Sequence, residues 1–304
     1  MSAPSIAYVA VVAQDTARLC RFLGDALGLE RTELPLGDTN VPFFGIGSAA
    51  LAVFEPNARF LGGRAAPGVH HIALAVEDPE RNADRFGLPA MPEPTDPSGS
   101  VWVIEPRATF GVPLRLTTPL GLPASGGAIE RIDHVRIATP EANDAVSLFV
   151  ERLGCPLEST ETDVELRQVT ESFVSDKYGA VYHSRAPEIV GGLRATFVRL
   201  GDCDLALVSN YDPTPTARDE PGIPQSSPPE VRGKPPADNP GAATPIHHIA
   251  LRTENVDSAL AQLSRDNWRL IDHVSRPGAR ASRIGHIDPG NFGGGPDLAL
   301  MTCG

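Results

Sequence analysis

The pentapeptide His70-His71-Ile72-Ala73-Leu74 returns unchanged as His247-His248-Ile249-Ala250-Leu251. Between the copies lies a related phrase, Ile132-Asp133-His134-Val135-Arg136-Ile137-Ala138, and a degraded version opens the chain as Ile6-Ala7-Tyr8-Val9-Ala10-Val11-Val12. Each alternates small and apolar residues as a half-buried strand does, and each precedes a helix-like run that starts near Asp, Glu or Asn. An internal repeat of this kind decides the architecture before any single residue is weighed.

Outward from these strands the chain divides into four units. The first runs from Ile6 to about Pro56, with a helix expected from Asp15 to the Gly24–Gly28 region (apolar face Leu19, Phe22, Leu23, Leu27) and a closing strand Ala50–Phe54. The second restarts at Val69, places Pro79 in a helical first turn after Asp78, and ends in Leu114–Thr117. The Gly, Ala, Ser and Pro stretch Gly121–Gly127 reads as a linker. The third unit opens at Ile132, carries a helix from Pro140 to Leu153, is interrupted by an insertion at Glu161–Pro187, and ends in Leu205–Val208. The fourth starts at His247, has its helix from about Val256 to Arg265, and ends in Leu298–Met301. The expected fold is α+β: four β-α-β-β-β units paired as residues 1–120 and 128–304 about the linker 121–127.

Two segments fall outside the pattern. Tyr211–Pro245 holds ten prolines, which excludes a regular helix or central strand. Loops of this length are usually lids or connectors, so this one is expected to cover a cavity. Gly290-Asn291-Phe292-Gly293-Gly294-Gly295 lacks the lysine and following helix of a phosphate loop and reads as a hairpin turn.

The bulk numbers exclude several classes. With 304 residues there is chain enough for two cores, and a net charge of -12 argues against nucleic acid or an anionic membrane as partner. No apolar run approaches the ~20 residues of a membrane span, and the N-terminus lacks the basic region of a signal peptide. Cys20, Cys155, Cys203 and Cys303 are scattered without a C-x-x-C spacing, as in reduced cytoplasmic proteins.

The four strands, with the phrases Asp133-His134-Val135 and His247-His248-Ile249-Ala250-Leu251 and the Asp288-Pro289 before the last strand, resemble the vicinal oxygen chelate superfamily. That group includes glyoxalase I, methylmalonyl-CoA epimerase, extradiol dioxygenases and hydroxyphenylpyruvate dioxygenase. The resemblance implies two tandem domains, each an open barrel-like sheet of two modules with a divalent metal inside. It makes His134 and His248 the imidazole ligands, and His71 and His248 the inward members of their pairs, with His70 and His247 facing away.

The last strands depart from the family. Where relatives carry Leu-Glu-Leu, this chain has Leu51-Ala52-Val53, Leu114-Arg115-Leu116, Leu205-Ala206-Leu207 and Leu298-Ala299-Leu300. Two imidazoles alone hold a hard divalent ion poorly. Asp204 and Asp297 each lie two residues before the missing Glu, on the same strand face and roughly 7 Å along it. His286 offers a third imidazole. If no metal binds, His134 and His248 act as acid–base or hydrogen-bonding groups. In the first half the matching set is Tyr8, Ala52, His71 and Arg115, a cation where a metal needs an anion, so that half is expected to be structural or substrate-contacting.

The expected function is a small-molecule enzyme of lyase, isomerase or dioxygenase type working in the second domain, with iron, manganese, zinc or nickel as the candidate ion. The sequence names no catalytic residue. Extradiol ring cleavage is disfavoured by the missing Glu and by Gly285, His286 and Ile287 standing where a Tyr is usual before Asp288-Pro289. The alternative is a metal-free binding protein of the bleomycin-resistance type. A homodimer is a possible assembly, and the expected location is cytoplasmic.

Overall fold

A computed structural model describes residues 3–37, 39–96, 98–123, 127–168, 170–175, 177, 179–184, 187–211 and 246–303. The expected lid thus lies outside the described residues apart from Tyr211, as do residues 124–126 of the linker. The first unit is β1 (Ser5–Val12), α1 (Thr16–Arg21), β2 (Arg31–Leu36), β3 (Thr39–Ile46) and β4 (Ala49–Phe54). The second is β5 (Gly68–Ala75), α2 (Pro79–Phe86), β6 (Ala90–Pro92), β7 (Val101–Ile104) and β8 (Leu114–Thr117). The third contains β9 (Ile129–Ala138), α3 (Ala142–Ser147), β10 (Leu157–Arg167), β11 (Thr170–Ser175), β12 (Gly179–Ser184), β13 (Glu188–Leu200) and β14 (Cys203–Asn210). The fourth is β15 (Ile246–Thr253), α4 (Val256–Arg265), β16 (Arg276–Pro277), β17 (Arg283–His286) and β18 (Leu298–Thr302).

These form two eight-stranded sheets of identical connectivity, β2-β3-β4-β1-β5-β8-β7-β6 and β10-β13-β14-β9-β15-β18-β17-β16. The repeat strands lie at each centre, β1 antiparallel to β5 and β9 antiparallel to β15, so every half has an approximate two-fold axis between two copies of the quoted phrase. The fold is the expected α+β pair of tandem domains.

Local chemistry sets the helices. Asp15, Asp78 and Asn255 cap α1, α2 and α4 by accepting the backbone N–H of Arg18, Arg81 and Ser258 at 2.9, 3.0 and 2.9 Å. Helices α1 and α3 each continue into a π-helical turn, Phe22–Ala26 and Leu148–Arg152. The wider turn keeps Phe22 and Leu23, and likewise Leu148 and Phe149, buried against the sheet.

One apolar core runs beneath the helices of both halves. The halves dock reciprocally. Phe22 packs edge-on to Trp268 (4.9 Å between ring centroids) and against Phe292 (5.3 Å), while Arg152 donates to the carbonyls of Phe86 (3.0 Å) and Gly87 (2.7 Å) at the end of α2.

The glycine-rich stretch lies, as expected, in the turn that joins antiparallel β17 and β18; within it Pro289–Phe292 forms a 3-10 turn, and the backbone N–H groups of Gln14 and Asp15 donate to the carbonyls of Gly294 (3.3 Å) and Phe292 (2.9 Å). Gly293 and Gly294, at φ 67° and 92°, bend the chain through the left-handed region for this docking. The insertion is mostly strand. Residues β10 and β13 extend as a long antiparallel pair, with β11 and β12 pairing separately beyond it.

Candidate functional site

The central strands are not regular, and their irregularity builds the site. Between β9 and β15 the register steps from Ala250–His134 to Leu251–Ile132, leaving Asp133 as the extra residue of a β-bulge. The two-fold mate of that bulge leaves out His247, between Ile246–Ile137 and His248–Arg136. In the first half the bulged residues are Ala7 and His70. Each bulge turns the residue after it, Tyr8, His71, His134 or His248, toward the face opposite the helices.

In the second half, bulged Asp133 and its neighbour His134 meet: Asp133 Oδ2 lies 3.0 Å from His134 Nδ1. A carboxylate only accepts, so Nδ1 carries the proton and Nε2 is left with its lone pair. His134 Nε2 faces His248 Nε2 at 3.3 Å. The His286 ring stands 5.1 Å from that of His248, nearly perpendicular to it, and His286 Nδ1 is 3.0 Å from Asp297 Oδ1. The same reasoning frees His286 Nε2. Ligand atoms of His248, His286 and Asp297 all lie within 4.8 Å of one another.

Register explains how His286 reaches the centre. It is the cross-strand partner of Ala299, the position where the family resemblance places a carboxylate. A small residue on β18 lets the imidazole of the neighbouring strand occupy that space, and Asp297 supplies the nearby carboxylate. Sequence reasoning treated His286 and Asp297 as separate repairs; the fold brings them to the same point.

Asp204 does not join them. It lies beside His134 in the sheet, but Arg280 Nη1 donates to its Oδ2 at 2.6 Å, and Arg280 Nη2 donates to Asp133 Oδ2 at 2.9 Å. The guanidinium stacks 4.2 Å from the centroid of Phe197. Arg280 and Ala281 sit at φ 54° and 55°, a conformation costly for side-chain-bearing residues that recurs where a loop is held for a purpose. Arg280 was missed because it comes from a loop with no motif. Its only sequence signal was the run of Gly, Ala and Ser around it.

The electrostatics agree with the hydrogen bonding. Burial holds the His248 imidazolium pKa well below its usual value, with His134, His286, Arg136 and His247 adding to the effect. His248 is therefore neutral at pH 7. Burial pushes the Asp133 carboxyl up, but the hydrogen bond from His134 and the charges of Arg280 and Arg131 outweigh it and leave Asp133 low and ionised.

The first half has the same frame and a different interior. His71 Nε2 is 3.3 Å from the Tyr8 hydroxyl, and His70 Nδ1 is 2.8 Å from His71 Nδ1. The bulge overrides simple alternation, so His70 lies against His71 rather than facing away. His247, in contrast, is exposed. Arg115 pairs with Glu93 at 3.2 Å and donates to the Phe60 carbonyl at 3.0 Å, with both charged side chains under 7 % exposed. Phe43, Phe54, Phe60 and Leu61 fill the surrounding space, and Leu120 and, from the linker, Leu122 pack against it. Burial raises the Tyr8 phenol and depresses His71. This interior is a sealed core.

Neither surface cleft at the seam touches this chemistry; the larger, about 340 Å³, is lined by Asp15, Arg18, Arg269, Gly290, Asn291 and Gly293. Among the described residues no helix is long and apolar enough to cross a membrane.

Known proteins agree with the fold. A mutant 4-hydroxymandelate synthase from Streptomyces coelicolor superposes with a TM-score of 0.58 at 13% identity, over 99% of this chain and 93% of that one. The 2,3-dioxygenase LapB from Pseudomonas sp. KL28 gives 0.59 at 15% identity, over 100% and 94%. A mutant homoprotocatechuate 2,3-dioxygenase from Brevibacterium fuscum gives 0.52 at 14% identity, over 99% and 72%. At these identities the likeness is one of fold. No curated protein sequence matches the chain. The profile of one family matches residues 133–285, half of the chain and the part that holds His134 and His248. The chain belongs to the Glyoxalase/Bleomycin resistance protein/Dioxygenase superfamily.

Proposed function

We propose that this chain is a metal-dependent small-molecule enzyme whose reaction takes place on the inner face of the second sheet. The observation that carries the reading is the grouping of His248, His286 and Asp297, whose ligand atoms lie within 4.8 Å of one another, with His134 Nε2 3.3 Å from His248 Nε2. Their chemistry fits a borderline divalent ion such as zinc, nickel or iron. Two of the three rings have Nδ1 held by a carboxylate, the arrangement that orients a metal-binding imidazole and raises its basicity. The third is kept neutral by burial, so its lone pair is available at pH 7. His134, His248 and His286 would hold the ion, with Asp297 as a fourth ligand or as the partner of His286. A bound ion would supply Lewis-acid polarisation of substrate oxygens.

The protein's own groups have distinct tasks. Asp133 fixes the tautomer of His134, and Arg280 holds Asp133 and Asp204 in place. Phe197, edge-on to His134 at 5.7 Å, walls the site on the β13 side. Substrates that fit are compounds with vicinal oxygens, and the supported reaction classes are those of the superfamily: isomerisation, lysis or oxygenation.

The alternative, a metal-free sequestering protein, is favoured by the alanines at positions 206 and 299. Turnover separates the two. Protein reconstituted with Fe(II), Mn(II), Zn(II) or Ni(II) is offered a panel of catechols, hydroxy acids and α-keto acids, and products are followed by mass spectrometry. The enzyme reading expects conversion that is lost on chelation and in His248→Ala. Tight binding of a panel compound without conversion, unchanged by chelator, would establish sequestration instead.

A further inference from the structure

Arg136 is the odd arginine of the second sheet. Arg131, Arg199, Arg252 and Arg276, on strands of the same sheet, each reach a carboxylate. The Arg136 side chain makes no ion pair or hydrogen bond among the described residues, although the residue is only partly exposed. The carboxylate that acts on it is that of Asp163, an exposed residue of β10. No Arg136 nitrogen is among the fully buried unpartnered atoms, so its donors remain open to an incoming ligand, and a partly desolvated guanidinium gains from an anionic partner.

Its position is defined by register. Arg136 is the direct cross-strand partner of His248 on β15 and of Ala206 on β14, and Ala206 in turn faces Phe197 on β13. Directly paired residues project from the same face of a sheet. Ile132, Val135 and Ile137 of β9 belong to the core under the helices, so Arg136 projects with His134 on the opposite face. Ala206 keeps the space between Arg136 and Phe197 open. One strand spacing, about 5 Å, separates the backbone of Arg136 from that of His248. The proximity is felt electrostatically, since the Arg136 charge helps to depress both His247 and His248.

We propose that Arg136 is the substrate-anchoring cation of this site and that the substrate is an organic acid, its carboxylate held by the Arg136 guanidinium while its other oxygens face the histidines. The inference rests on the inner face of the second sheet being a substrate site, but not on a metal being there. Arg280, already committed to Asp133 and Asp204, is not available for this task. The planar fork of an arginine suits two parallel hydrogen bonds to a carboxylate, which a lysine cannot reproduce.

The test uses benzoate and benzamide, equal in shape and different in charge, as probes of the full-length protein freed of metal by dialysis. Binding is read by ligand-detected NMR for wild type, Arg136→Gln and Arg136→Lys. Wild type is expected to prefer benzoate by about 10- to 100-fold, the range for a charged hydrogen-bonded partner. Arg136→Gln should abolish the preference and Arg136→Lys should retain part of it. Equal binding of the two probes to wild type, no binding of either, or a preference that survives Arg136→Gln each overturns the proposal. Zinc affinity measured on the same three proteins keeps the outcomes apart. Arg136→Gln should leave it within about three-fold of wild type, and failed zinc binding beside intact benzoate selectivity counts against the metal reading alone.

Discussion

Arg115→Met tests whether the first half is a sealed structural copy of the site. Arg115 Nη1 and Glu93 Oε2 are 3.2 Å apart, with side-chain exposures of 6% and 4%. At that separation, with an effective dielectric of about 20, their attraction is about 5 kcal/mol. Met keeps most of the aliphatic contact over the Phe60 ring, whose centroid lies 4.3 Å from the guanidinium carbon, so the substitution removes charge more than volume. It also removes the donor to the Phe60 carbonyl, worth about 1 kcal/mol. Breaking one side of a buried ion pair typically costs about 3–5 kcal/mol, because the remaining charge stays buried. Thr95, whose hydroxyl donates to Glu93 Oε1 at 3.0 Å, offsets little of this. With a urea m-value of about 2 kcal/mol/M, the unfolding midpoint of the first half should fall by about 2 M. Adding Glu93→Gln removes the stranded charge and should bring the midpoint back to within about 1 M of wild type. Urea titration followed by circular dichroism reads all three proteins. A single variant within 0.5 M (about 1 kcal/mol) of wild type, or a double variant no better than the single, would show that water reaches the pair and that the interior is not sealed.

Other outcomes follow from the same structure. Burial, with the Arg115 charge adding to it, lowers the His70 pKa to about 4, below the 6.5 of an unfolded chain. The unfolded state therefore binds the extra proton first, and stability should fall as pH drops from 6.5 toward 4, by at most about 1.4 kcal/mol per pH unit from this residue. His70→Gln should flatten that part of the stability–pH curve, and an unchanged slope would refute the assignment. Arg280→Met frees Asp133 and Asp204 together; zinc affinity, measured by competition with a chromophoric chelator, should fall about 10- to 100-fold, with Arg280→Lys between the two. Gly285→Ala would set a Cβ 2.5 Å from Leu260 Cδ1 in the core under α4. It should cost about 1–3 kcal/mol in urea unfolding, whereas Gly28→Ala, with nothing within 4 Å of the new methyl, tests backbone strain alone.

How much of this was legible depends on what each feature requires. The four strands, their order and helix α4 could be read because periodicity and capping residues are local signals; Val256–Arg265 matches its expected span. His134 and His248 were legible from the repeat. The bulges were not, since a bulge is an event between two strands and leaves no mark on either one alone. Hence the sequence does not mark Asp133 as the partner of His134, nor the approach of His70 Nδ1 to within 2.8 Å of His71 Nδ1. Strand alternation expects Asp297 on the face of the missing carboxylate, and in the structure its carboxylate lies 3.0 Å from His286 Nδ1. The same argument applied equally to Asp204, and only the fold shows Arg280 occupying it. The docking role of Gly293 and Gly294 was equally invisible, because it depends on Gln14 and Asp15, far away in the chain.

The central claim is that the inner face of the second sheet holds a divalent ion on His134, His248 and His286. Elemental analysis of the protein purified without chelators tests it most directly, beside a His134→Ala, His248→Ala double variant. The account predicts near-stoichiometric zinc, nickel, iron or manganese in the wild type and none in the variant, with both proteins folded by circular dichroism. Metal-free wild type that stays metal-free after incubation with each ion would contradict it.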